Sequence, residues 1–185
     1  ILILYFLERI FRVRMVDDFL NDQEFGDIVD FLNSDDTDWK KFHKVVGDDH
    51  KDNWQYVHIA YEKMLPKSLL FDILSCVFGK LRVISMYRVK VNCEQRHSQR
   101  YYSNFHYDYN SSEGTHENPI GHDHMKTGIL YLNTCDGYTE FEDGKKVNSV
   151  ANRFIEFPSN ILHRGVSQTD TEWRSVINFN YFTGS

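Results

Sequence analysis

Near Lys80 the spacing of apolar residues changes from about 3.6 to 2, and this switch constrains the fold of the 185-residue chain more than any other feature. Before it, local signals predict helices. Asn21 is placed to cap one, with Glu24 three residues on completing a capping box and Leu20 and Phe25 flanking it as a hydrophobic staple. Phe25, Ile28, Val29 and Leu32 then make one apolar stripe. A second helix is predicted over 66–78, with Pro66 in its first turn, a stripe of Leu69, Leu70, Ile73, Leu74 and Val77, and Gly79 ending it. After Lys80, strand-like runs cover about 82–92, 101–109, 126–133, 138–142, 153–157, 161–167 and 173–182. Helices first and many antiparallel strands after imply an α+β or mainly β domain.

Alternation along the strands assigns faces. If Arg174 points into a barrel, so do Val176, Asn178 and Asn180, while Ile177, Phe179 and Tyr181 face outward to the helices. Ile129 and Tyr131 share a face, as do Ser85, Tyr87 and Val89. An inner face carrying Arg, Tyr and Asn suits a pocket for a polar, anionic small molecule. In the run SNFHYDYN, His106 and Asp108 stand two apart and can aim a ring nitrogen and a carboxylate oxygen at one point. A third ligand, His163 of FPSNILHRG, is then expected from a neighbouring strand. HxD alone is a weak signal, equally readable as a surface His and a turn Asp. Two histidines and one carboxylate on one face of an octahedral ion, however, leave the opposite face open, as in non-haem Fe(II) oxygenases. Arg174, eleven residues beyond His163, offers a planar fork for a carboxylate.

Other clusters have plainer readings. His116, His122, Asp123 and His124 include an HxH pair, but Met125, Lys126 and Thr127 follow where a cupin-type site would add Glu. A solvated lid is the first reading, a substrate-contacting loop the second and a metal site the third. Tyr101, Tyr102, Phe105, Tyr107 and Tyr109 are expected to pack on the sheet, with stacking on bases or peptides as the alternative. Arg96, His97 and Arg100 read as an exposed polar turn; Asp17, Asp18, Asp35, Asp36 and Asp38 suit caps and loops.

In its order of segments, MVDDFLNDQEF, YRVKVN, FHYD, GILYLN, GYTEFEDG, NRFIEFPSNILHRG and RSVINFNYF, the chain resembles the 2-oxoglutarate and Fe(II)-dependent dioxygenases, in particular their prolyl-4-hydroxylase-like branch. The last third also resembles small oxygenases of marine tailed phages. The resemblance spans about Met15 to Phe182 and implies a double-stranded β-helix, a jelly-roll barrel, backed by N-terminal helices. It implies Fe(II) on His106, Asp108 and His163, and Arg174 on the far carboxylate of the cosubstrate 2-oxoglutarate, with Tyr131 and Tyr87 as helpers. It further implies O2 as oxidant, ascorbate as an auxiliary reductant, and hydroxylation of a substrate C–H with release of succinate and CO2. Two departures stand out. The stretch SSEGTHENPIGHDHMK is longer than in compact prolyl hydroxylases, and Asn180 occupies the place where nucleic-acid demethylases carry a second arginine.

These features rank a peptide or protein, proline first, ahead of a small metabolite as substrate, and both ahead of nucleic acid. A net charge of −6 gives little electrostatic drive toward polyanions or anionic membranes. The rival class is a non-catalytic jelly-roll module that holds a metal. At this length one domain spanning 1–185 is expected, with helical support over about 15–80 and the barrel over about 81–183. Cys76, Cys93 and Cys135 are odd in number without a CxxC, as in reduced intracellular thiols, which points to the cytoplasm, of a host cell if phage-encoded. The opening ILILYFL is too short to span a bilayer and lacks a signal-peptide layout; Met15 is a candidate natural start. Oligomeric state is left open by the sequence.

Overall fold

The computed structural model describes residues 13–42, 54–108 and 125–184. Its elements run β1 (Arg14–Val16), α1 (Asp22–Leu32), β2 (Lys40–Phe42), β3 (Gln55–Glu62), β4 (Leu65–Pro66), α2 (Leu70–Ile73), α3 (Ser75–Leu81), β5 (Val83–Gln95), β6 (Met125–Tyr131), β7 (Tyr138–Phe141), β8 (Lys146–Asn148), β9 (Phe154–Pro158), β10 (His163–Val166) and β11 (Trp173–Thr183). One sheet has the order β1-β9-β6-β11-β5-β3-β2, with β4 on β3, and a smaller one the order β10-β7-β8. All the pairings are antiparallel. The two sheets and their helical backing make the jelly-roll architecture that the sequence predicts.

The predicted first helix forms as expected. The Asn21 side chain accepts from the Glu24 N–H at 2.9 Å, and the Glu24 carboxylate accepts from the Asn21 N–H at 3.1 Å. The second helix does not. Pro66 lies in β4, opposite Tyr61, because Lys63 and Met64 adopt positive φ and fold the chain into a hairpin. Helix starts only at Leu70, breaks at Leu74 and resumes through Gly79 to Leu81, so Leu69 stays outside the stripe at 66% exposed. Burial of Leu81 carries the helix past Gly79, and Arg82 takes the left-handed conformation that ends it.

Two cores lie on opposite faces of the large sheet. On the helix side, Ile28, Leu32, Leu70, Leu74 and Val77 meet Val89, Val91, Ile177, Phe179 and Tyr181. Between the sheets, Ile129, Tyr131, Ile155 and Val176 pack with Phe141, Val147 and Phe157. The face assignment of β11 and of Ile129 with Tyr131 therefore holds.

The assignment for Ser85, Tyr87 and Val89 does not. The ladder pairs Asn180 with Arg88 but Tyr181 with Met86, leaving Tyr87 as the extra residue of a bulge, and Val89 is buried on the helix side. The inward residues of β5 are Arg88, Lys90, Asn92 and Glu94. Five short or early strands, β1 to β4 and β8, were not among the predicted runs. Conversely, the predicted strand 101–109 is reduced to two isolated bridges, Tyr102 with Val166 and His106 with His163. Between them Ser103 exchanges hydrogen bonds with Gly165 through its hydroxyl, at 3.0 and 3.1 Å, which displaces the regular ladder.

Candidate active site

Between the sheets lies a cavity of about 410 Å³, within the usual size range of small-molecule sites. At one end it meets His106, Asp108 and His163, whose candidate ligand atoms all fall within 4.8 Å of one another. The bridge between His106 and His163 sets the two rings side by side, with centroids 4.7 Å apart. The Nδ1 of His163 lies 2.9 Å from the Ile161 carbonyl, and that of His106 lies 3.1 Å from the Asn104 carbonyl. An Nδ1–H donated to each carbonyl leaves both Nε2 lone pairs for a metal, and these atoms stand 3.9 and 4.0 Å from Asp108 Oδ1. Burial lowers the His163 pKa, and beside it His106 adds to the effect, against the pull of Asp108. The shift favours the neutral imidazole, the form that can ligate a metal.

The Asp108 side chain is 4% exposed and held from several sides. Its Oδ2 accepts from Thr127 Oγ1 at 2.9 Å and from Asn180 Nδ2 at 3.0 Å. Arg88 approaches Oδ1 at 3.7 Å and donates through Nε to Asn180 Oδ1 at 3.1 Å. Burial by itself would raise the Asp108 carboxyl, but His163, Arg88, His106 and the Asn180 hydrogen bond outweigh it and hold the pKa low. Asn180, read from the sequence as an inward residue standing where a second arginine is missing, thus orients a candidate ligand while Arg88 supplies the cation from β5. Arg88 and Thr127 were missed. The signal for Arg88 was the polar alternation Arg88, Lys90, Asn92, Glu94 on β5, whose facing the bulge at Tyr87 concealed, and that for Thr127 was the parity it shares with Ile129 and Tyr131 on β6.

Arg174 lies at the far end of the cavity, 6% exposed. Its Nε donates to Ser149 Oγ at 2.9 Å, Nη2 reaches Thr139 Oγ1 at 3.5 Å, and the guanidinium sits 5.8 Å from the Tyr131 ring centre. Tyr131 donates to Thr139 at 2.7 Å, beside the arginine. Gly137 leaves the necessary room, since a Cβ there would stand 2.6 Å from Arg174 Cδ. Across the ladder from Arg174 is Glu94, whose carboxyl burial pushes up in pKa and Arg174 pulls back. Tyr87 is not brought to the site. As the bulged residue it is 48% exposed and outside the cavity lining.

The remaining sequence candidates separate clearly. His116, His122, Asp123, His124 and Tyr109 lie outside the described residues, as does the opening apolar run, and no structure is assigned to them. Tyr102, Phe105 and Tyr107 do not pack into the sheet but stand exposed, with the Arg164 guanidinium over Tyr102 and Phe105. Arg96 is exposed, whereas Arg100 grips Asp136 at 2.6 Å and His97 lies 3.8 Å from Glu94. Asp17 pairs with Arg153 through both carboxylate oxygens. The three cysteines are free thiols. No helix among the described residues is long and apolar enough to cross a membrane.

No family model matches the sequence, and no curated protein is significantly similar to it. Solved structures match at the level of the fold. An oxidoreductase of the 2OG-Fe(II) oxygenase family from Burkholderia pseudomallei aligns at TM-score 0.62 and 12% identity, over 94% of this chain and 86% of its own. A Pseudomonas putida prolyl-4-hydroxylase aligns at 0.58 and 11%, over 93% and 92%. A Trichoplax adhaerens prolyl hydroxylase, in complex with a hypoxia inducible factor oxygen degradation domain peptide fragment, aligns at 0.56 and 15%, over 92% and 83%. The chain therefore has the fold of the 2-oxoglutarate and Fe(II) oxygenases.

Proposed function

We propose that this protein is an Fe(II)- and 2-oxoglutarate-dependent dioxygenase that hydroxylates a C–H bond of a peptide or protein, proline first, and releases succinate and CO2. One observation carries the reading: a two-histidine, one-carboxylate cluster and a buried arginine open onto the same cavity. The donor set suits iron, since both Nε2 atoms and Asp108 Oδ1 converge with their other polar atoms already hydrogen-bonded. Iron held there would supply O2 activation coupled to decarboxylation of the cosubstrate, with one oxygen atom ending in the substrate hydroxyl and the other in succinate. The chain's own part is positional. Arg174 would hold the far carboxylate of 2-oxoglutarate, and Thr139, steadied by Tyr131, stands beside it. Arg88, Asn180 and Thr127 keep Asp108 ionised and aimed.

A peptide substrate is favoured by the likeness to a prolyl hydroxylase bound to a peptide fragment. It is favoured also by the exposed aromatics Tyr102, Phe105 and Tyr107 on the segment that carries two of the ligands. Nucleic acid ranks last, because the net charge is −6 and an amide, Asn180, meets Asp108. A metal-holding binding module would leave a buried arginine facing the cavity without a purpose. Metal-free protein titrated with Fe(II) and 2-oxoglutarate under argon should develop a weak visible charge-transfer band; none would overturn the assignment. Admitting O2 with proline-containing peptides, free amino acids and methylated oligonucleotides side by side then tests the ranking through succinate release. Stimulation by oligonucleotides alone would reverse it.

A further inference from the structure

Among the described residues, three lysine or arginine side chains line the cavity, and two of them are accounted for. Arg88 serves Asn180 and Asp108, and Arg174 sits among Ser149 and Thr139. Lys90 is the third. It lines the cavity on β5, and among the described residues no carboxylate comes within ion-pair distance of it. In the ladder it stands opposite Asn178, four residue pairs from that of Glu94 with Arg174, which at about 3.4 Å per residue is roughly 14 Å along the strand. The register places Lys90 between the Arg88 end, at Asp108, and the Glu94 end, at Arg174, so a ligand spanning from the triad to Arg174 along β11 has Lys90 beside it on the next strand. Beside Lys90 are Asn92 and Asn178, whose buried Oδ1 atoms have no hydrogen-bond partner among the described residues. An unpaired buried acceptor costs about 1–3 kcal/mol, so two beside a half-buried ammonium make a poor device for stability. They suit a ligand that brings an anion and an N–H. Burial, with Arg88 beside it, lowers the Lys90 ammonium to about 8 against the pull of Asp108 and Glu62, so it remains mostly charged at neutral pH.

We propose that the substrate carries a carboxylate next to the group oxidised, and that Lys90 binds this carboxylate while Asn92 and Asn178 accept from an adjacent N–H. This rests on the proposed function, because it takes the Arg174 end for 2-oxoglutarate. The carboxylate can come from an acidic side chain or from a chain terminus, and matched probes separate these sources. The test uses protein loaded with Mn(II) and 2-oxoglutarate under argon, with affinities measured by calorimetry. One pair of probes is acetyl-Pro-Glu-amide with acetyl-Pro-Gln-amide, and the other is acetyl-proline with its carboxamide. The expected result is that in at least one pair the acid binds about tenfold or more tightly than the amide, as for a close charge pair. Lys90→Met should erase that preference and leave 2-oxoglutarate affinity within about twofold. In the unaltered protein, acetylation of Lys90 followed by peptide mass should be slowed by the favoured acid and not by its amide. No acid preference in either pair, or a preference that survives Lys90→Met, would overturn the inference alone. So would a Lys90→Met protein that loses 2-oxoglutarate as Arg174→Ala should, since Lys90 would then belong to the cosubstrate. Failure of the wild type to bind Mn(II) and 2-oxoglutarate would overturn the proposed function and this inference together.

Discussion

Two parts of the cavity lining are built differently. At the triad and at Arg174, polar groups already have partners: both Nδ1 atoms, both Asp108 oxygens and two guanidinium nitrogens are tied to named neighbours. Along the β5 flank, Lys90, Asn92 and Asn178 face the same space with a cation unpaired among the described residues and two amide oxygens unsatisfied. The contrast separates groups whose geometry is fixed before any ligand arrives from groups that wait for one. Preorganised donors hold a metal and a common cosubstrate; an unsatisfied wall fits a variable substrate.

The harshest test of the fixed part removes its carboxylate. Asp108→Ala deletes one of three candidate ligands and leaves Arg88 and Asn180 facing a hole. Binding of Mn(II) or Fe(II), followed by calorimetry, should fall below detection, and succinate formation with it. Metal binding that survives would move the ion to other donors. Arg174→Ala comes next. Losing one partner of a buried charge pair costs about 2–5 kcal/mol, or roughly 30- to several-thousand-fold in affinity for 2-oxoglutarate. Metal affinity should be unchanged, and equal loss of both would mean that Arg174 holds the fold together instead of the cosubstrate.

How far this division could be read in the sequence depends on what each residue needs. The meeting of His106, Asp108 and His163, and the opening of Arg174 onto the same cavity, were legible from the HxD spacing and the order of segments, although the strand predicted around His106 is reduced to isolated bridges. The alternation of β11 also sorted correctly, since Ile177, Phe179 and Tyr181 are apolar and only one face can meet the helices. The β5 wall was not legible. Alternation says which residues share a face but not which face is inward, and the bulge at Tyr87 shifts the parity midway. Polar Arg88, Lys90, Asn92 and Glu94 would ordinarily be given to solvent, yet they line the cavity. The second helix failed for a similar reason. Its start depended on a hairpin at Lys63 and Met64 that no glycine marks.

Arg88 lies where the two kinds of wall meet, and its replacement sharpens the boundary. Arg88→Met removes the cation 3.7 Å from Asp108 and the donor to Asn180 Oδ1 without touching a ligand atom. Loss of such an outer partner typically weakens metal affinity about 10- to 100-fold. Calorimetry with Mn(II) should find a drop in that range, and the pKa of Asp108, relieved of one of its opposing charges, should rise. An unchanged metal affinity would place Arg88 with Lys90 on the substrate-facing wall.

The smallest effect separates two tyrosines that the sequence put in the same role. The Tyr131 hydroxyl donates to Thr139 at 2.7 Å beside Arg174, whereas Tyr87 is a bulged residue outside the cavity lining. Tyr131→Phe keeps the ring next to the guanidinium and removes a single buried hydrogen bond, worth about 0.5–1.5 kcal/mol net. Its 2-oxoglutarate affinity should weaken by about two- to tenfold, far less than in Arg174→Ala. Tyr87→Phe should leave that affinity within error, because a substitution away from the site usually stays within about 0.5 kcal/mol. Parallel titrations of the two variants with 2-oxoglutarate, each loaded with Mn(II), decide the matter. Should Tyr87→Phe weaken binding as much as Tyr131→Phe, the β5 bulge would have to turn its tyrosine into the cavity when cosubstrate binds. The fixed part would then be less fixed than its hydrogen bonds indicate.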